Sequence, residues 1–157
     1  MTIDEALRSI LAAHFPAAPA TVDEIARFEA ANGWRLDDEM RAFYFSCNGA
    51  NLFRRTNSPY RILPLCEIQR ARVAVFGVDD DRYGSSTMYT VCDNGDSDYV
   101  AVNVSSDEPY LLYDIFHEVG PFLNDCVVVA TSFSEFLTRA LGSDGRLYWL
   151  NAKTGHH

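Results

Sequence analysis

The amino-acid sequence predicts a single α+β domain, for three reasons. Helix-capping signatures stand near both ends of the chain, and short runs that alternate apolar and polar residues lie between them. Strands that follow one another in this way, without a helix after each, indicate α+β rather than a doubly wound sheet. The chain of 157 residues is also about one domain long. We assign the domain to residues 1–150 and a C-terminal tail to 151–157, whose Gly-His-His ending matches the start of a purification tag.

Two helices are predicted at the N-terminus. They begin at capping boxes, Thr2 to Glu5 and Thr21 to Glu24, in which a Thr hydroxyl and a Glu carboxylate each satisfy a free backbone N–H. Pro16 ends the first helix, and Asn32-Gly33 ends the second because these residues tolerate left-handed backbone.

A third helix begins near Asp37, continues with apolar residues at helical spacing, and stops at Asn48-Gly49. The segment 66–75 adds a helical turn or two. A last helix follows a third capping box, Ser132 to Glu135, and ends at Gly142.

Strands are predicted at 60–65, 88–92, 99–104 and 110–113. In the third of these, Val100, Val102 and Val104 share one face, because successive side chains of a strand point to opposite sides. Tyr99, Ala101 and Asn103 share the other face.

The segment between the second and third strands contains three carboxylates within six residues, Asp93, Asp96 and Asp98. It fails as a calcium loop, because the sixth position is Asp98 instead of Gly and the twelfth is Val104 instead of Glu. Asn94-Gly95 between two alternating runs is a strong hairpin signal. We therefore predict a β-hairpin with its turn at Asn94-Gly95 and no metal site.

Charge is the least ordinary feature of the composition. The net charge is −9, and the segment from Asp79 to Asp125 holds eleven acids against one base, Arg82. Two interpretations stay open: a solvated face that aids solubility, or a surface that attracts a basic protein. Direct binding of nucleic acid is disfavoured, because it needs a Lys/Arg face and the sole lysine is Lys153.

Four widely spaced cysteines, with no charged-then-apolar leader before them, indicate a reducing cytosol rather than a disulfide framework. No apolar run approaches the length of a membrane span. Phosphate-loop, nucleophile-elbow and dinucleotide motifs are absent, and His117-Glu118 fails as a zinc motif because Pro121 stands where the second His is needed. We expect no enzyme activity, no catalytic residues, no cofactor and no metal.

Several short blocks together resemble the SUKH superfamily, which includes a fungal cell-wall synthesis regulator and many bacterial immunity proteins. They are, in order, Thr21-Val-Asp-Glu-Ile-Ala-Arg-Phe-Glu29, Gly33-x-x-Leu36, Arg41-Ala-Phe43, Asn48-Gly49, Ile62-Leu-Pro-Leu65, the hairpin from Asp93 to Val102, the strand from Tyr110 to Tyr113, and Ser132-Phe133-x-Glu135-Phe136-Leu137. Asp37 stands where the family often has Pro, and the insert at 79–86 is unusually acidic.

The resemblance implies a central, mostly antiparallel sheet flanked by N-terminal helices and a C-terminal helix. It also implies a non-enzymatic cytoplasmic protein that neutralises a cognate toxin delivered between competing cells. We expect occlusion of a basic cleft, such as that of a nuclease, by this acidic chain. The alternatives are an intracellular scaffold of the cell-wall regulator type and a metal-dependent enzyme that uses the carboxylates. The oligomeric state is left open.

The residues expected to bind the partner form an acidic surface: Asp79, Asp80, Asp81, Tyr83, Asp96, Asp98, Asp107, Glu108, Asp114 and Glu118. Aromatic side chains supply most of the energy in many tight interfaces. The candidates for this role are Trp34, Tyr83, Tyr99, Tyr110 and Phe116.

Overall fold

Seven strands form one antiparallel sheet in which every strand pairs with its neighbours in sequence. The computed structural model describes residues 1–150, so the predicted tail at 151–157 lies outside the described residues. The strands are β1 (Phe15–Pro16), β2 (Ala50–Leu52), β3 (Tyr60–Ile62), β4 (Met88–Gly95), β5 (Asp98–Asn103), β6 (Leu111–Ile115) and β7 (Val127–Ala130). The predicted α+β class and antiparallel sheet are confirmed.

Five α-helices accompany the sheet: α1 (Ile3–Ala13), α2 (Val22–Asn32), α3 (Asp38–Ser46), α4 (Ala71–Phe76) and α5 (Phe133–Leu141). Both threonine capping boxes are present as predicted, and Asp37 caps α3 by accepting the Met40 N–H. Ser132 caps α5, but the Glu135 carboxylate accepts the Thr131 N–H instead of closing the third box. None of the helices within residues 1–150 is long and apolar enough to cross a membrane.

The sheet separates two hydrophobic cores of unequal size. The larger core lies between the sheet and the helices α1, α2, α3 and α5, and it includes Val100 and Val102 of β5. The smaller core lies on the opposite face, where α4 covers Ala101 and the half-buried Tyr99 packs at its edge. The alternation predicted for this strand is therefore confirmed at these four positions.

The predicted β4–β5 hairpin is present, but its turn was placed two residues too early. Gly95 pairs with Asp98, and the turn is made by Asp96 and Ser97, with φ of 55° and 65°. Asn94 and Gly95 instead belong to β4, where the register shifts between Asp93 and Gly95. The Asn94 amide donates to the Pro59 carbonyl at 3.0 Å, which holds it against β3 and away from the turn.

Candidate partner-binding surface

The acidic run Asp79–Asp81 folds back onto the start of α4. Arg72, whose side chain is only 7% exposed, donates from Nε to Asp79 at 2.8 Å and from Nη1 to Asp81 at 2.6 Å. The same guanidinium donates to the Gly84 carbonyl at 3.1 Å. A nearly buried cation thus fixes the path of the chain that follows α4.

Two further arginines complete this arginine–aspartate cluster. Arg70 contacts Asp79 and Arg82 contacts Asp80, each at 3.1 Å. The hydrogen bonds from Arg72 lower the pKa of Asp79, and those from Arg82 lower the pKa of Asp80. Three carboxylates therefore face three guanidiniums, and the cluster is close to neutral. From the sequence, Arg82 was the only base expected beside these acids. Arg70 and Arg72 precede the acidic segment in the chain, and only the fold brings their side chains next to it.

Acids are in excess at the hairpin end, which we define as Asp96, Asp98, His117 and Glu118. Asp98 accepts a hydrogen bond from the His117 ring at 2.8 Å, and Glu118 approaches the same ring at 3.8 Å. The hydrogen bond to Asp98 raises the pKa of His117. Asp96 lies exposed in the turn and adds to the same negative field.

The remaining predicted acids lie elsewhere. Asp107 and Glu108 are exposed in the β5–β6 connection, at the opposite end of β5 from Asp98. Six residues of strand separate the two ends by about 17 Å, at roughly 3.3 Å per residue. Asp114 is 6% exposed within β6, so it does not lie on the exposed surface to which the sequence assigned it. The predicted acids thus form three separate groups plus one buried residue.

Four of the five predicted aromatic anchors are buried or half-buried. Trp34 packs edge-on against Phe28 and Tyr110, and Tyr110 is 4% exposed. Tyr99 and Phe116 are half-buried. Tyr83 is the exposed one among the five, and its ring lies 5.5 Å from that of Phe76.

Around Tyr83 the structure exposes an apolar surface that the sequence did not indicate. Thirteen large hydrophobic residues are exposed within residues 1–150, and eight of them lie in the end of α4, the segment after it, the β6–β7 connection and β7. We define the apolar surface as Phe76, Val78, Tyr83, Val119, Phe122, Leu123 and Val128. Val127, the neighbour of Val128 in β7, points to the opposite face of the sheet. Such a surface is hard to predict from sequence, because an apolar strand such as Val127–Ala130 is predicted to be buried whether or not the fold covers it.

Two rings of this surface, Phe76 and Phe122, lie on either side of the Gly120 backbone. A Cβ on Gly120 would lie 2.8 Å from the Phe76 ring and 3.3 Å from the Phe122 ring, so the backbone passes between the two rings. Phe76 also contacts Tyr83. The Cys126 thiol, next to Val127, lies 3.5 Å from the Gly120 carbonyl.

Most of the groups that could act in catalysis are hydrogen-bonded or buried. His14 accepts the Phe53 N–H on Nδ1 at 2.9 Å, and His117 is held by Asp98. Burial raises the pKa of Cys47 to about 12 and that of Cys126 to about 11. Cys66 is the exposed thiol among the four cysteines. Within residues 1–150, no group of three or more His, Cys, Asp or Glu side chains could hold a metal ion.

Comparisons with known proteins agree with the resemblance stated above. The sequence profile of the SMI1/KNR4 family (SUKH-1) matches residues 19–139. The chain is also 27% identical over 117 residues to the immunity protein YokJ of Bacillus subtilis (strain 168). This alignment covers 74% of this chain and 71% of YokJ.

Proposed function

The chain belongs to the SMI1/KNR4 family (SUKH-1), and we propose that it is an immunity protein that binds and neutralises a cognate bacterial toxin. The similarity to the immunity protein YokJ carries the proposal. The arrangement of side chains supports a binding role, because His14 and His117 are held in hydrogen bonds and a large apolar surface is exposed. The protein acts by binding and not by catalysis.

Neutralisation is by occlusion of a basic cleft. Enzymes that cut nucleic acids bind phosphates through Lys and Arg, and an acidic protein is complementary to such a cleft. This chain carries a net charge of −9 and has no Lys or Arg between Arg82 and Arg139. The cognate toxin is therefore a basic protein domain, and a nuclease fits best.

The hairpin end provides most of the negative field that attracts the toxin. The hairpin end has three carboxylates, those of Asp96, Asp98 and Glu118, against one histidine. In the arginine–aspartate cluster the charges nearly cancel. The partner-binding set comprises the exposed or half-exposed predicted residues: Asp79, Asp80, Asp81, Tyr83, Asp96, Asp98, Asp107, Glu108 and Glu118. Asp114 is omitted because it is buried.

The protein acts in the cytoplasm, where an immunity protein meets a toxin that has entered the cell. Its cysteines support this location, because Cys47, Cys66, Cys92 and Cys126 are all free thiols. Unpaired thiols of this kind are typical of a reducing compartment.

The test is protection in living cells. We expect the neighbouring gene to encode a large secreted protein whose C-terminal domain kills cells when expressed alone. Co-expression with this chain should restore growth, and the two proteins should co-purify. An isolated metabolic gene neighbourhood, or cells that die as fast with this chain as without it, would refute the proposed function.

A further inference from the structure

Specific backbone contacts hold in place the connection that carries part of the apolar surface. Gly84 packs directly on Pro121, where a Cβ would lie 2.5 Å from the proline ring, and the Ser85 N–H donates to the Pro121 carbonyl at 2.8 Å. The N–H groups of Val119 and Gly120 both donate to the Phe116 carbonyl at 2.9 Å. The backbone of the connection between β6 and β7 is therefore fixed on the segment after α4.

Such a surface favours binding. Large contiguous apolar areas on a protein surface often mark sites of interaction with a partner. A fixed surface also loses little conformational entropy when it binds, which strengthens association. The edge strand β7 adds to this, since Val128 is 43% exposed and pairs with Tyr113 of the smaller core, which places it on the α4 side of the sheet.

The charges around the surface favour a basic partner over a second copy of this chain. From Phe116 to Ala130 the chain contains Glu118 and Asp125 but no Lys or Arg. The nearest arginines, those of the arginine–aspartate cluster, are already paired. Two copies that met through this face would bring acids against acids, and like charges facing each other across an interface are unfavourable. A basic partner would instead pair with them.

We propose that the apolar surface is the docking surface for the cognate toxin domain, which inserts an apolar protrusion ringed by Lys or Arg. This inference rests on the proposed function and deepens it. The apolar surface supplies most of the binding energy at its centre, and the hairpin end attracts the toxin from a distance.

The test uses exposed residues, so that substitution leaves the fold intact. Leu123→Gln combined with Val128→Thr removes apolar area from the surface. The matched control is Leu11→Gln combined with Val22→Thr, which changes an exposed Leu and an exposed Val on α1 and α2. The probe is the catalytically inactivated toxin domain encoded beside this gene, with binding followed by calorimetry and thermal unfolding recorded for each variant.

We expect the Leu123/Val128 variant to bind at least about tenfold more weakly, mainly through faster dissociation. The control should bind within about twofold of wild type. Wild-type binding with no loss in the variant overturns the docking surface but leaves the proposed function standing. Absence of wild-type binding refutes the proposed function itself. A wild-type dimer in sedimentation that the variant abolishes would show that a second copy covers this face, and would also overturn the inference.

Discussion

One carboxylate oxygen, Asp98 Oδ1, accepts two hydrogen bonds from His117. The backbone N–H donates at 2.9 Å and the ring Nδ1 lies at 2.8 Å. The residues are 19 positions apart, and the pair joins the start of β5 to the start of the β6–β7 connection. The ring bond to Asp98 favours the imidazolium and so raises the pKa of His117.

We predict that Asp98→Asn lowers the pKa of His117, because an amide cannot stabilise the imidazolium as a carboxylate does. NMR titration of the ring protons measures this directly. Asp96→Asn is the control, since Asp96 acts on His117 only through its charge, and its effect should be smaller. In the same spectra His14 should titrate below the ordinary value for histidine, because burial lowers its pKa. An unchanged His117 pKa in Asp98→Asn would contradict the prediction.

The same pair predicts how stability depends on pH. The folded pKa of His117 is raised, so its contribution is fully present below the unfolded value, about 6.5, and is lost as the pH rises through the folded value. His117→Asn retains a neutral donor but cannot become charged. We expect this variant to be less stable than wild type at pH 5.5 and to approach wild type at pH 9. Urea unfolding at both pH values measures the difference, and an equal loss at both would exclude a role for the charge.

The structure shows which of these features a sequence can predict. The Thr2 and Thr21 capping boxes were found because their bonds span three residues and depend on local chemistry alone. The alternation of side chains between the two faces of β5 was predicted correctly because it follows from the geometry of an extended backbone. The turn was misplaced because Asn94-Gly95 suits a bulge as well as a turn, and only the tertiary bond to Pro59 distinguishes them.

The site was harder to predict than the fold, for a physical reason. The charge of the segment at Asp79–Asp81 depends on Arg70 and Arg72, which lie outside it in sequence. Asp114 alternates with apolar neighbours in a strand, and burial of such a residue is decided by what the rest of the chain packs over it. Exposure of Val127 likewise depends on its position at the sheet edge.

We predict that Arg72→Leu lowers the melting temperature by several degrees, because it leaves Asp79 and Asp81 without their shared donor and frees the Gly84 carbonyl. Arg82→Leu removes the same charge from the same cluster, but that side chain is 80% exposed, so its effect should be close to zero. Thermal unfolding compares the two variants. Equal melting temperatures would mean that total charge, and not the buried guanidinium, stabilises the cluster.

We predict that Gly49→Ala is strongly destabilising. Gly49 has φ +96°, and a Cβ there would lie 2.8 Å from the Ile62 carbonyl oxygen and 2.9 Å from the Pro64 nitrogen, both of them backbone atoms with little freedom to move. Gly33→Ala is the control, since Gly33 has φ +77° with nothing within 4 Å of its Cβ position. The control should lose about 1–2 kcal/mol from backbone strain alone. Gly49→Ala should lose more than about 3 kcal/mol, because overpacking is added to the strain. Urea unfolding that gave equal losses would contradict this account.

The last prediction concerns the rate at which the toxin domain associates. Asp96→Lys with Glu118→Lys reverses two exposed charges at the hairpin end, next to the connection that carries the apolar surface. Asp107→Lys with Glu108→Lys makes the same change in net charge at the opposite end of β5. Because attraction between exposed charges is screened beyond a Debye length of about 10 Å at 0.1 M salt, charges beside the docking surface should matter most.

We therefore expect the hairpin-end variant to associate more slowly and to lose most of its dependence on salt, while the opposite-end variant changes less. Stopped-flow association at several salt concentrations measures both rates. Equal slowing in the two variants would show that net charge alone attracts the toxin. No slowing in either would mean that the acidity of this chain serves solubility and that its affinity comes from the apolar surface alone.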